Sequence, residues 1–371
     1  MRKRTLRGSA RLKLAFAVAS VGAVALIGAG CGGDDDDDTT TSGSTGAPEK
    51  VTVTLPFQDS IVWTGYEISK GPDGQFAEVG LEPETAAVDG NSYTVQQLVA
   101  GKVPFAVTGA PETMIANARG NELYGIGALE SDIFTIGALE DSGVTSIADL
   151  EGGSLGITDP GGGEIPLVKA ALADAGLEED KDVQLKVVGE GGATVVKALE
   201  SGEIDAFAGA INDFVPLESA GLTFTTIVDD KFAGTPNDYL VVTADTYNDE
   251  AEMETVKNLL SAWYVGVVYG EQYPEDGLAR ICEEVPEDCA DPEFADGFYD
   301  ASIGISIDEA RAGGCPDYEA LTTVRDAVAA ADVPEAADVD VETIFPDDIC
   351  QDLVPSEDAV SAFAERTGAT G

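Results

Sequence analysis

Ser146-Ile147-Ala148-Asp149-Leu150-Glu151-Gly152 opens the stretch from which the fold is read, residues 144–216. Its Ser-x-x-Asp spacing is that of a capping box, predicting a short helix. A strand over 154–158 follows, then the turn Asp159-Pro160-Gly161-Gly162-Gly163-Glu164. Residues 166–175 place Leu167, Val168, Ala171, Leu172 and Ala175 on one helical face, and Gly176 is the natural stop. Val183, Leu185 and Val187 alternate as a second strand, a helix spans 193–200 up to Gly202, and a third strand runs from 204 to 210 into Asn212-Asp213. Strand, helix, strand, helix, strand is a parallel α/β unit. Ligands of such units sit beyond the carboxyl ends of the strands, here the loops 159–164 and 211–214.

The chain carries this unit twice. Leu98-x-x-Gly101-x-Val103-x-x-Ala106 and Leu199-x-x-Gly202-x-Ile204-x-x-Phe207 lie 101 positions apart. The same shift carries Gly120 onto Gly221 and Pro111-Glu112 onto Asn212-Asp213. With a small gap, 51–55 pairs with 154–158, and Gly80-Leu81 with Gly176-Leu177. A long tandem array would need more copies, so two α/β lobes facing each other are expected.

Upstream, Arg2, Lys3, Arg4, Arg7, Arg11 and Lys13 precede the apolar run 14–29, which ends at Gly30-Cys31. A basic segment, a short apolar segment and small residues describe a secretory signal over 1–30, too short for a comfortable membrane span. Cys31 after Ala29-Gly30 resembles a bacterial lipobox and is the expected lipidation site, although Gly28 stands where a Leu is usual. An ordinary secreted protein with a stray Cys is the alternative. Residues 31–50 hold Gly-Gly, Asp34–Asp38 and then Thr, Ser and Gly; this composition buries no core and reads as a charged tether. The aspartate run lacks the spaced ligands of a calcium loop.

From Cys31 onward the chain keeps 14 of its 20 Lys and Arg and all 69 Asp and Glu, a formal charge of −55. That excludes a nucleic-acid partner, which needs a basic footprint. Such self-repulsion is screened within about 3 Å at molar salt, so a salt-loving source is expected. The chain has no histidine. Its absence removes His-dependent triads, His metal sites and His general bases, and no metal, cofactor or catalytic residue is expected. Cys282, Cys289, Cys315 and Cys350 in an exported chain read as two disulfides; of three possible pairings, Cys282–Cys289 with Cys315–Cys350 is favoured.

Val51, Val53 and Leu55 alternate in a first strand that runs into Pro56-Phe57-Gln58-Asp59-Ser60-Ile61-Val62-Trp63. Phe57, Gln58, Asp59 and Trp63 are therefore expected to face a ligand, with core packing the alternative for Trp63. Residues 123–139 read as strand segments leading to the second lobe, and 237–243 as the returning strand. Val256, Leu259, Leu260, Trp263 and Val267 recur at helical spacing, which makes Trp263 a core residue. The acidic, disulfide-bearing segment from Pro274 onward is assigned to the first lobe. The expected division is 51–139 plus 237–371 for lobe 1 and 140–236 for lobe 2.

The order and spacing of Ser146-Ile147-Ala148-Asp149-Leu150-Glu151-Gly152, the Gly-rich turn, Leu199-x-x-Gly202-Glu203-Ile204-Asp205-Ala206, Gln97-Leu98-x-x-Gly101-x-Val103-x-x-Ala106-x-x-Gly109 and Asn117-Ala118-Arg119-Gly120 resemble the solute-binding proteins of ABC importers, in the branch that binds nitrate, sulfonates, taurine and thiamine precursors. The resemblance covers roughly residues 51–245. It implies the two-lobed α/β fold of type II periplasmic binding proteins, two hinge crossings, and a cleft that closes on a small molecule and is read by an ABC permease. It further implies a monomer on the outer face of the cytoplasmic membrane, tethered through Cys31.

On the repeat, four loops line the cleft, 58–63, 108–113, 159–164 and 210–214. They bring Thr108, Glu112, Gly161, Gly162, Gly163, Glu164, Asn212 and Asp213 to it, with Glu112 and Asp213 facing each other across the gap. The glycines could offer amides to an anion, but Glu164 beside them would repel one. Phe57 and Trp63 could stack on a ring or cation. The solute is therefore expected to be neutral or cationic, nitrogenous and heterocyclic, resembling a thiamine precursor, with a sulfonate, taurine or nitrate as the alternative. A carboxylate-dependent extracellular enzyme is the rival class.

Overall fold

The computed structural model describes residues 48–160, 162–229, 236–331 and 333–369. The expected signal segment, Cys31, all but the last residues of the tether, and Gly161 lie outside these. The described strands are β1 (Glu49–Leu55), β2 (Leu81–Ala87), β3 (Phe105–Gly109), β4 (Leu123–Ala128), β5 (Phe134–Leu139), β6 (Ser154–Ile157), β7 (Gln184–Val187), β8 (Ala206–Ala210), β9 (Phe224–Thr226) and β10 (Asp238–Thr243). They form two sheets, ordered β2-β1-β3-β10-β4 and β7-β6-β8-β5-β9. In each sheet three parallel strands meet a fourth, antiparallel one that comes from outside the unit, β10 beside β3 and β5 beside β8.

The duplication seen at the level of residues is therefore a duplication of topology. Strand β3 with its helix Ala110–Ala118, and strand β8 with its helix Ile211–Ser219, keep the 101-residue offset at every boundary. The paired glycines recur for a backbone reason: Gly101 and Gly202 have φ of 62° and 68°, Gly120 and Gly221 of 85° and 93°. A side chain is strained in this left-handed region, so both halves turn on glycine.

Three local readings change. Residues Ile147–Leu150 form a 3₁₀ turn, not a side-chain-capped α-helix; the Asp149 carboxylate accepts from the Thr145 amide (3.0 Å) and the Ser146 hydroxyl (2.9 Å). Gly152-Gly153 ends the segment before a second turn can repay nucleation. Strand β7 leaves Val187 59% exposed, because it is an edge strand that pairs only with β6. Strand β5 lies in the second sheet, so the passage between sheets falls at 129–133 and not at 139/140.

Both faces of each sheet are covered. In β10, Leu240 and Val242 enter one core while Tyr239 and Val241 enter the opposite one, so a strand buried on both sides reads as an unbroken apolar run. The helix Glu250–Gln272 buries thirteen residues, Trp263 among them, and crosses the short helix Thr64–Ile68 at reciprocal glycines. The disulfides are Cys282–Cys289 and Cys315–Cys350. The C-terminal segment does not belong to one side alone. Helix Pro292–Ala312 packs on both Glu250–Gln272 and Ile211–Ser219, and helix Tyr318–Ala331 on both Ala110–Ala118 and Ile165–Asp174.

A methyl group on Gly266 would lie 2.3 Å from the Gly65 carbonyl oxygen and 2.3 Å from Ser69 Oγ. Backbone on one side leaves no flexible group to yield. Gly266→Ala should destabilise the fold by about 1–3 kcal/mol, the usual cost of overpacking. Denaturant unfolding at fixed salt measures it, and an unchanged midpoint would refute the close crossing.

Candidate functional site

The carboxyl ends of β1, β2, β6 and β8 open onto one cleft of about 840 Å³ between the sheets. Of the residues expected at a ligand, Phe57, Gln58, Gly162, Gly163, Glu164, Asn212 and Asp213 line it. The remaining predicted residues lie elsewhere. Asp59 turns away, its carboxylate bound by Lys70 (3.0 Å) and the Thr85 hydroxyl. Trp63 is fully buried: its ring stacks beneath Phe57 with centroids 4.6 Å apart, and Nε1 donates to the Gln58 carbonyl (3.3 Å). It supports a lining residue and does not meet the solute. Thr108 is buried in β3, its hydroxyl donating to the Asn91 carbonyl (3.2 Å).

Glu112 and Asp213 do not face each other. Equivalent in chain position, they sit in different cavities. Asp213 holds loops together, accepting from the Gly191 amide (2.7 Å) and the Ala210 amide (2.9 Å). Glu164 does similar work within its own loop, accepting from the Thr158 amide (2.8 Å) and hydroxyl (2.6 Å). Glu112 lines an inner recess of about 40 Å³ together with Asn91, Phe134, Leu167, Asp238 and Val324. Gly109 permits this, since a methyl group there would overlap the Glu112 carboxylate.

Sequence reasoning missed Asp89, Asn91, Tyr93, Phe134, Glu190, Asp238, Asp288, Phe294 and Phe298, all on the cleft wall. Asn91 and Asp238 follow the logic of strand ends and were within reach of it. Asp288 carried no local signal. It lies inside the loop closed by Cys282–Cys289, and accepts from the Ser60 hydroxyl (2.9 Å) and the Ile61 amide (3.0 Å), fixing the distant loop after β1.

The described lining of the cleft is acidic. Asp89, Asp159, Glu164, Glu190, Asp213, Asp238 and Asp288 are seven carboxylates on its wall, and no Lys or Arg is among the described lining residues. Burial pushes the carboxyls of Glu164 and Asp213 above the ordinary range. It raises Asp238 to about 6, and Glu112 to about 7 with the charge of Asp238 adding to the effect. Glu130, 1% exposed and with one carboxylate oxygen unpartnered, is raised well above the ordinary range by burial and then by Asp238. Desolvated carboxylates of one sign are stabilised by protons or by a positive ligand. Among the described residues no group of three or more His, Cys, Asp or Glu is placed to hold a metal ion.

Two stacked α/β halves around an acidic cleft define a binding-protein architecture. The chain belongs to the NMT1/THI5-like family, whose model matches residues 72–276. No curated protein matches the chain in sequence. Among solved structures, a Bordetella bronchiseptica RB50 protein is similar at 24% identity and a TM-score of 0.61, over 82% of this chain and 96% of that one. The Escherichia coli periplasmic aliphatic sulphonate binding protein SsuA is similar at 16% identity and 0.57, over 76% and 86%. The periplasmic nitrate-binding protein NrtA of Synechocystis PCC 6803 is similar at 16% and 0.55, over 84% and 91%. These likenesses establish the periplasmic-binding-protein fold. Among the described residues no helix is long and apolar enough to cross a membrane.

The raised carboxyls make stability pH-dependent with a definite sign. A group whose folded value exceeds its unfolded one stabilises most below the unfolded value, and that contribution is lost as pH rises through the folded one. For Glu112 the window runs from its ordinary 4.5 to about 7. Glu112→Gln should flatten the fall in melting temperature between pH 5 and pH 8 relative to wild type, as read by thermal scans. Parallel curves would show that this side chain is not desolvated.

Proposed function

We propose that the protein is the extracytoplasmic solute-binding component of an ABC importer and that its solute is cationic or neutral, nitrogenous and heterocyclic. The seven carboxylates on the cleft wall carry this reading. A single unit charge opposed at 4 Å costs an anion about 4 kcal/mol at an effective dielectric of 20. An exposed helix terminus returns only about 0.3–1 kcal/mol. Phe57, Phe134 and Phe294, partly exposed on the same wall, offer aromatic rings to a flat or cationic solute. Loops of both halves touch the solute together only when the cleft is shut, so the solute shifts an open–closed equilibrium by its differential contacts, and a permease reads the closed form.

The same reading puts the mature protein on the outer face of the cytoplasmic membrane as a monomer held by acyl chains on Cys31. At about 0.8 kcal/mol per buried methylene, two chains suffice for stable anchoring. Cys31→Ser should move the protein from the membrane fraction to the medium; retention on the membrane would count against the anchor.

A solute panel decides the charge of the ligand. Trp63 stacks on the cleft-lining Phe57, so its emission should report occupancy. Pyrimidine and thiazolium solutes should quench or shift it and shrink the radius of gyration, while nitrate and alkanesulfonates should do neither. Tight binding of the anions alone would overturn the cationic reading, and turnover of any panel member would favour an enzyme.

A further inference from the structure

The inner recess opens off the main cleft and shares Asn91, Phe134, Gly163 and Asp238 with it. Its walls are otherwise apolar, from the helix Ile165–Asp174 (Leu167, Ala170) on one side and the helix Tyr318–Ala331 (Val324, Val328) on the other. Four polar residues, Asn91, Glu112, Asn237 and Asp238, break that apolar lining. Glu112 stands over Gly109, Asp238 is 2% exposed, and Asn91 is 7% exposed. The Asn91 amide nitrogen donates to Asp238 (3.4 Å), while its buried oxygen Oδ1 has no partner. An acceptor left open in such a place is destabilising unless something donates to it.

We propose that this recess is the subsite for a primary ammonium group of the solute, received by Asn91 Oδ1 and the carboxylates of Glu112 and Asp238, while the body of the solute lies in the main cleft. The inference rests on the solute-binding reading above. An ammonium group has three donors and no acceptor, matching three acceptor groups. The space fits the same group. A water needs about 10–15 Å³ by this measure, so about 40 Å³ takes a terminal CH₂–NH₃⁺ and excludes a ring or a trimethylated nitrogen. Charge agrees as well. Asp238 faces Glu112 from β10 with Glu130 behind it, and the two helices that close the recess contribute only apolar side chains to its lining. Burial keeps these carboxyls partly protonated near neutrality, so an entering ammonium should displace a proton.

Calorimetry with benzylamine, benzyl alcohol and benzyltrimethylammonium at pH 6.5 tests this. Benzylamine should bind at least tenfold tighter than either of the others, and titration in two buffers of different ionisation heat should show proton release with benzylamine alone. Glu112→Gln, which keeps shape and removes the charge, should weaken benzylamine about tenfold and leave benzyl alcohol unchanged; Asn91→Ala should act in the same direction, with circular dichroism confirming that both variants are folded. The subsite fails if the three probes bind equally, if none is held at millimolar concentration, or if Glu112→Gln leaves benzylamine unaffected. Binding of a pyrimidine panel solute with any of these failures would sink the ammonium subsite alone. Binding of nitrate or alkanesulfonates alone, with no cation held, would sink the cationic reading too.

Discussion

Each sheet is completed by a strand that its own α/β unit does not supply. Strand β5 must run antiparallel beside β8, and β10 antiparallel beside β3. The chain meets both demands only by passing between the halves twice. Because the pairing is antiparallel, the N-terminal end of each crossing strand lies beside the carboxyl end of its parallel neighbour, Phe134 against Ala210 and Asp238 against Gly109. That is why Phe134 and Asp238, the first residues of β5 and β10, both reach the cleft wall.

On this frame the electrostatics of the cleft differ from those of the surface. An acid on the surface of a chain this acidic is solvated and screened, and its presence says little. Glu112, Glu130 and Asp238 are desolvated, and beyond burial the charge of Asp238 raises the cost of ionising Glu112 and Glu130. Nothing in the composition separates the two kinds of carboxylate. Glu164 and Asp213 stand between them: both Asp213 oxygens accept from backbone amides, and one Glu164 oxygen accepts from the Thr158 amide and hydroxyl, so they shape loops as much as they colour the field.

The sequence was legible wherever the informative contacts lie within one unit. Gly101, Gly120, Gly202 and Gly221 could be matched because a positive φ leaves a residue-level mark, and the strand–helix boundaries at 109/110 and 210/211 followed. It misled where two positions equivalent in chain order were assumed equivalent in space. Glu112 and Asp213 occupy the same position in their helices, yet one lies in a recess sealed by the helix Tyr318–Ala331 and the other is bound by the Gly191 loop. Trp63 and Asp59 failed for a related reason. Both sit in a ligand-facing loop, but the directions of their side chains are set by Trp263, Lys70 and Thr85, which reach them only in the folded chain.

By itself, then, the sequence determined a duplicated α/β architecture, the ligand-facing loops at its strand ends and the family pattern, because all of these are written in local periodicity, turn chemistry and spacing; among three possible disulfide pairings it only favoured the one that forms. Tertiary structure alone decided which carboxylates are buried, that Asp288 within the disulfide loop pins the loop after β1, and that two C-terminal helices bridge both halves. The physical reason is that periodicity reports which face of an element is apolar, whereas desolvation depends on everything packed around a group. For this cleft the packing partners come from segments up to about two hundred residues away in the chain.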